Sequence, residues 1–142
     1  MSARLSKYNA TEPEIVDEMI ALLRDRQQIE IHLPFLPPTA NNYVRHSQGR
    51  HYKTKEAVKF DDDVFVLCRT KSIFAKSLRC EMHFYFAEGR KGRKSDIDNR
   101  VKPLWDALTK AGVFKDDSLI DEFTVLRMSG DEDKTVVWLE EL

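Results

Sequence analysis

The sequence predicts a single α/β (α+β) domain, a mixed β-sheet with helices packed on it, and three observations carry that reading. The hydrophobic period switches repeatedly between about 3.6 and 2, so helices and strands alternate along the chain. The resulting order is helix, strand, helix, strand, helix, strand, strand, which calls for a mixed sheet. The chain has 142 residues, 42% hydrophobic and 33% charged, as one soluble domain with its own core would have.

The first helix is expected over Thr11–Gln27. Thr11 and Glu14 fit a capping box, Pro13 is tolerated in the first turn, and Ile15, Val16, Met19, Ile20 and Leu23 form an apolar stripe. The residues ahead of it are expected to fray. Residues 1–28 are thus read as an N-terminal helical extension and 29–142 as the main domain. From Ile29 the period becomes two: Ile29, Ile31 and Leu33 alternate with Glu30 and His32. The strand must stop at P-F-L-P-P, because proline cannot donate to a sheet ladder.

The segment after those prolines is rich in turn residues (Asn41, Asn42, Gly49) and basic through Arg45, His46, Arg50, His51 and Lys53. Tyr43 and Tyr52 interleave with the charges. Two readings stand side by side: a solvated loop, or a phosphate-contacting hairpin whose rings stack on bases. Thr54 is placed to cap a second helix, with Ala57, Val58, Val64, Phe65 and Cys68 on its apolar side. Asp61, Asp62 and Asp63 fan across about 200° of that helix at about 100° per residue, and read as a solvated face. The clearest strand follows, with Leu78, Cys80, Met82, Phe84 and Phe86 pointing one way and Arg79, Glu81, His83 and Tyr85 the other. It runs into a basic glycine-containing loop. Beyond the third helix, Leu119–Met128 and Lys134–Leu139 read as strands joined by a turn at Ser129-Gly130.

Net charge is −1, so any attraction to a polyanion must be local. Cys68 falls in a helical pattern and Cys80 on an apolar strand face, which suits buried free thiols better than a disulfide. No apolar run reaches the roughly 18 residues of a membrane span, and the N-terminus lacks the apolar region of a signal peptide. A cytoplasmic protein is expected.

The chain is organised around K-S-D-I-D-N-R-V-K-P-L-W-D-A-L-T-K-A-G-V-F-K-D-D, residues 94–117. Val101, Leu104, Trp105, Leu108 and Ala111 give one helical face, and Gly112 is placed to end it. Pro103 either costs a helix starting at Asp98 one backbone bond, or sits at the favoured first position of a helix starting near Lys102. Asp98 as a plain helix cap is the simplest reading of that residue alone. The helix folds the chain back by roughly 15–20 Å at about 1.5 Å per residue. Asp117 can therefore come beside Asp98 if it opens a strand next to the one that delivers Asp96. Three carboxylates on one patch repel one another and call for a cation. Arg90, Lys91, Arg93, Lys94, Arg100 and Lys102 surround the first two acids. Cations that hold phosphates, placed around acids that can hold a divalent metal, are the parts that phosphodiester hydrolysis requires.

The run from Asp96 to Asp117 resembles the active-site segment of the RusA-type Holliday junction resolvases, and L-P-F-L-P-P-T-A-N-N-Y and G-R-H-Y look like that family's N-terminal signature. The resemblance spans about Ile29 to Leu139; the helix before it is a departure. It implies a homodimeric endonuclease that cuts branched DNA, a four-way junction, using Mg²⁺, with Mn²⁺ as an alternative. It implies Asp96, Asp98 and Asp117 as metal ligands, with Lys102 near the scissile phosphate. Arg45, Arg50, Lys53, Arg90, Lys91, Arg93, Lys94 and Arg100 are the candidate DNA contacts. No organic cofactor and no membrane partner are expected. The histidines and cysteines show no zinc-ligand spacing. For the dimer, the first helix and the strands near Phe84, Phe86, Val125 and Trp138 offer apolar surface. Two other readings remain: a catalytically silent protein that binds branched DNA, and a nuclease for flaps or other branches.

Overall fold

Strand β4 (Leu78–Ala87) shows how alternation builds the sheet: Leu78, Cys80, Met82 and Phe84 are fully buried, while Glu81, His83 and Tyr85 lie half-buried on the opposite face. In the computed structural model, which describes residues 12–23, 26–47, 50–88 and 96–142, β4 is an inner strand of a four-stranded mixed sheet. The order is β1 (Gln28–Leu33), β6 (Lys134–Glu141), β4, β5 (Ile120–Gly130). β6 pairs antiparallel with both β1 and β4, and β5 runs parallel to β4 along the open edge. A parallel neighbour needs a crossover, and helix α4 (Val101–Lys110) supplies it. Ser129 and Gly130, expected in a turn, belong to β5; the reversal falls at Asp131–Asp133.

Helix α1 (Glu12–Leu23) stops short of the expected Gln27, and Thr11 with its capping box lies outside the described residues. A four-residue helix α2 (Ala40–Tyr43) leads into an antiparallel hairpin, β2 (Val44–Ser47) with β3 (Arg50–Lys53), so the basic segment is a hairpin and not an irregular loop. Helix α3 (Lys55–Leu67) begins where expected: the Thr54 hydroxyl accepts from the Ala57 amide at 3.1 Å. Its inner face differs from the expected one. Ala57, Phe60, Val64 and Cys68 are buried, while Val58 and Phe65 point to solvent. Adding Phe60 rotates the stripe toward α4 and the sheet, and the spacing 57, 60, 64, 68 is the truer helical face.

One apolar cluster joins these parts, with Phe60 and Val64 from α3, Leu104 and Leu108 from α4, and Leu33, Met82, Phe84, Val137 and Leu139 from the sheet. Each such side chain contributes about 1.5–3 kcal/mol on burial. Gly112 terminates α4 with φ at 78°, the left-handed conformation expected of it. The donor-poor P-F-L-P-P segment is held through its carbonyls: Phe35 accepts from the Thr135 hydroxyl at 2.8 Å, and Pro37 accepts from the Arg100 guanidinium. Both cysteines are free and buried, and burial pushes each thiol up to about 11. Among the described residues no helix is long and apolar enough to cross a membrane.

Candidate active site

The site forms where the chain enters α4. Ile97 packs on the core and Val101 is buried, so the backbone between them is pinned from below. The intervening residues form a 3₁₀ turn over Asp98–Arg100, closed by the Arg100 amide donating to the Ile97 carbonyl at 3.2 Å. Helix α4 proper begins at Val101, which makes Pro103 its third residue, inside the first turn where no intrahelical donor is lost. Anchoring alternate residues inward leaves Asp96, Asp98 and Lys102 exposed on the outer side.

Asn99 ties the first two acids together. Its backbone amide donates to Asp98 Oδ1 at 3.0 Å, and its side-chain amide reaches Asp96 Oδ2 at 3.5 Å. The third acid arrives from the other end of the crossover. A second 3₁₀ turn, Asp117–Leu119, precedes β5, so Asp117 does not open the strand as expected but sits in the turn just ahead of it, β5 itself running parallel to β4. Its Oδ2 accepts from Lys102 Nζ at 2.7 Å. Lys102 has a second partner on its own helix, Asp106 Oδ1 at 3.1 Å. The bonds to Asp117 and then Asp106 hold the ammonium pKa above its ordinary value, so it stays charged at neutral pH. Beside it, Ser118 donates to Asp116 at 2.9 Å and keeps that carboxyl below its usual range.

The donor chemistry suits a hard divalent cation: oxygens only, on carboxylates that water can reach. The spatial gathering goes less far than the sequence spacing implied. Among the described residues no three Asp, Glu, His or Cys side chains stand close enough to hold a metal ion. Asp96 and Asp98 converge on Asn99, and Asp117 turns to Lys102.

The candidate DNA contacts divide into three groups. Arg90, Lys91, Arg93 and Lys94 lie outside the described residues, as do the side chains of Arg45 and Arg50 on the hairpin strands. The Lys53 ammonium is bound to Asp61 Oδ2 at 2.6 Å. Arg100 is a correction: it is buried, donates to the Pro37 carbonyl, and stands 5.6 Å over the Phe86 ring. It fastens the proline segment to the site turn from inside the protein, because a guanidinium can satisfy a carbonyl and cover a ring at once.

Two residues were missed by spacing alone. Asp61, expected on a solvated face, accepts from both Lys53 and Lys110 with its side chain only 12% exposed. Asp106 holds Lys102; its position four residues on was the available signal. Of the expected apolar surface for a dimer, Phe84 is fully buried in the monomer core, so it offers none.

Fold and site together define an α+β domain, a four-stranded mixed sheet with a two-stranded hairpin, that carries an acid–lysine cluster at the head of its crossover helix. Residues 34–140 match the family model for endodeoxyribonuclease RusA. Over 103 residues the chain is 32% identical to the crossover junction endodeoxyribonuclease RusA of Escherichia coli K12 and to its counterpart from Enterobacteria phage 82. Those alignments cover 69% of this chain and 81% of each relative, and the Shigella sonnei protein of the same name aligns equally well. The chain belongs to the RusA endodeoxyribonuclease family.

Proposed function

We propose that this protein is a structure-selective endodeoxyribonuclease that resolves four-way DNA junctions by paired phosphodiester hydrolysis, acting as a homodimer with Mg²⁺ or Mn²⁺. The observation that carries the reading is the Lys102–Asp117 pair at 2.7 Å, which closes the two ends of the segment that resembles the resolvases. The relatives are named for crossover junctions, which points to the four-way branch as substrate.

In hydrolysis a water oxygen bonds to phosphorus as the bond to a sugar oxygen breaks, and negative charge grows on the phosphoryl and leaving oxygens. Lys102, kept protonated by Asp117 and Asp106, supplies a fixed positive charge for that growth. Asp96 and Asp98, held by Asn99, repel a bare phosphate, so a phosphodiester settles beside them only when cations compensate. Asp117 would have to leave Lys102 and join Asp96 and Asp98 for the three to hold a divalent cation, which would supply Lewis acidity toward the phosphoryl oxygen and the attacking water. The basic residues before Asp96 are assigned to the DNA backbone. Replacing Arg90, Lys91, Arg93 and Lys94 with alanine is expected to weaken duplex-arm binding and flatten its log–log salt slope by about 0.9 per lost contact.

Resolving a junction into duplexes requires two cuts of like polarity, which one site cannot make together, and a two-fold dimer places two identical sites symmetrically. The deciding experiment incubates a mobile four-way junction, a flap and a linear duplex with the protein in Mg²⁺ or EDTA. Paired symmetric cuts in the junction, dependent on Mg²⁺, support the reading. Binding without cleavage in any metal would make the protein a silent binder, and preferential flap cutting would move it to another branched substrate.

A further inference from the structure

We propose that Asp106 is a positioning residue for Lys102, an inference that rests on the nuclease reading of this site. Lys102 lies in the first turn of α4, where the helix dipole disfavours a cation, and its side chain is 64% exposed. A lysine this exposed samples many rotamers unless it is held, and Lys102 is held twice. The two partners differ in kind. Asp117 comes from the turn before β5 and is itself a candidate for cation binding, so its carboxylate has a competing use. Asp106 sits on Lys102's own helix at four residues' distance and is not among the candidate metal ligands. When Asp117 turns toward a cation, Asp106 is the partner that keeps the ammonium at the head of the helix.

Helix stability gives a poor alternative account of the pair. A lysine four residues before an aspartate is the less favourable order for a helix, and such surface pairs contribute little. The same chain provides the control: Lys59 and Asp63 on α3 form an i,i+4 pair of the same order at 2.6 Å, with no second carboxylate on Lys59 among the described residues.

The test is steady-state cleavage of a four-way junction by Asp106→Asn and Asp106→Glu, with Asp63→Asn as control. Misplacing a catalytic group by about 1 Å costs on the order of 10²-fold. Asp106→Asn is therefore expected to lower kcat by about 10- to 100-fold, with KM and melting temperature close to wild type. Asp106→Glu should recover most of the loss, and Asp63→Asn should behave as wild type. A kcat within about twofold of wild type for Asp106→Asn would overturn the proposal, as would a loss shared equally by KM and melting temperature. A second measurement does not depend on cleavage: ¹⁵N relaxation of the lysine ammonium groups. Lys102 Nζ should become markedly more mobile in Asp106→Asn, and unchanged mobility would overturn the positioning role. If wild-type protein cuts nothing, the nuclease reading fails while the relaxation result still decides the tether.

Discussion

Helix α4 carries two clusters built from the same residue types in opposite proportions. At its first turn one lysine, Lys102, lies between two acids, Asp117 and Asp106. At its last turn one acid, Asp61, lies between two lysines, Lys110 and Lys53. Lys110 stands at the helix C-terminus, where a cation offsets the dipole, and its cluster links β3, α3 and α4 around a nearly buried carboxylate. Lys102 stands at the end where a cation is disfavoured, is largely exposed, and is outnumbered by acids. The C-terminal arrangement suits stability: a shielded acid with its charge fully answered. The N-terminal one leaves negative charge in excess at an open surface, which suits a site that receives cations and a polyanion. The lesson is that position on the dipole and exposure separate a clamp from a candidate active site when composition does not.

The largest effect should follow from neutralising the acids at the open end. Asp96→Asn, Asp98→Asn or Asp117→Asn should each abolish junction cleavage, with binding retained or tightened because a repulsion of phosphate is removed. Near-normal nicking by any one would take that residue out of the site. Lys102→Gln should lower kcat by on the order of 10²–10³-fold, the loss typical of one preorganised electrostatic donor. A wild-type rate for that variant would leave Lys102 as an ordinary surface residue.

The clamp should respond in stability and not in chemistry. Asp61→Ala is expected to lower the unfolding free energy by about 1–3 kcal/mol in denaturant titration, since two ammonium groups lose a shared acceptor. Its kcat should stay within a few-fold of wild type at a temperature where it is folded. Cleavage lost with stability intact would place Asp61 in the reaction and dissolve the contrast between the two ends.

Titration sharpens the comparison further. Because Asp117 and Asp106 raise the Lys102 pKa above the ordinary 10.5, the pair's contribution is present below that value and is lost only as pH rises through the higher one. No loss of cleavage traceable to Lys102 is expected up to about pH 9. A Lys102-dependent decline below that pH would show the ammonium to be destabilised instead. The smallest effect belongs to Asp63→Asn, within about 0.5 kcal/mol of wild-type stability, as for any exposed pair of this kind.

Local pattern alone determined much of the molecule. Strict alternation identified β4 and its buried face, the Thr54 hydroxyl marked the start of α3, and Gly112 marked the end of α4 at a positive φ that other residues rarely adopt. The residues nominated for the site could be picked out for the same reason, since Asp96, Asp98, Lys102 and Asp117 all belong to one crossover whose spacing is set by a short helix, but the pairing of Asp117 with Lys102 could not. Tertiary structure decided the rest. Arg100 looked like one more cation in a basic stretch until the fold carried it to a proline carbonyl 63 residues away. Asp61 looked solvated until Lys110, 49 residues on, was packed against it. Periodicity reports which way a side chain points from its own element; what it meets there depends on segments distant in sequence, and a charged side chain takes its role from what it meets.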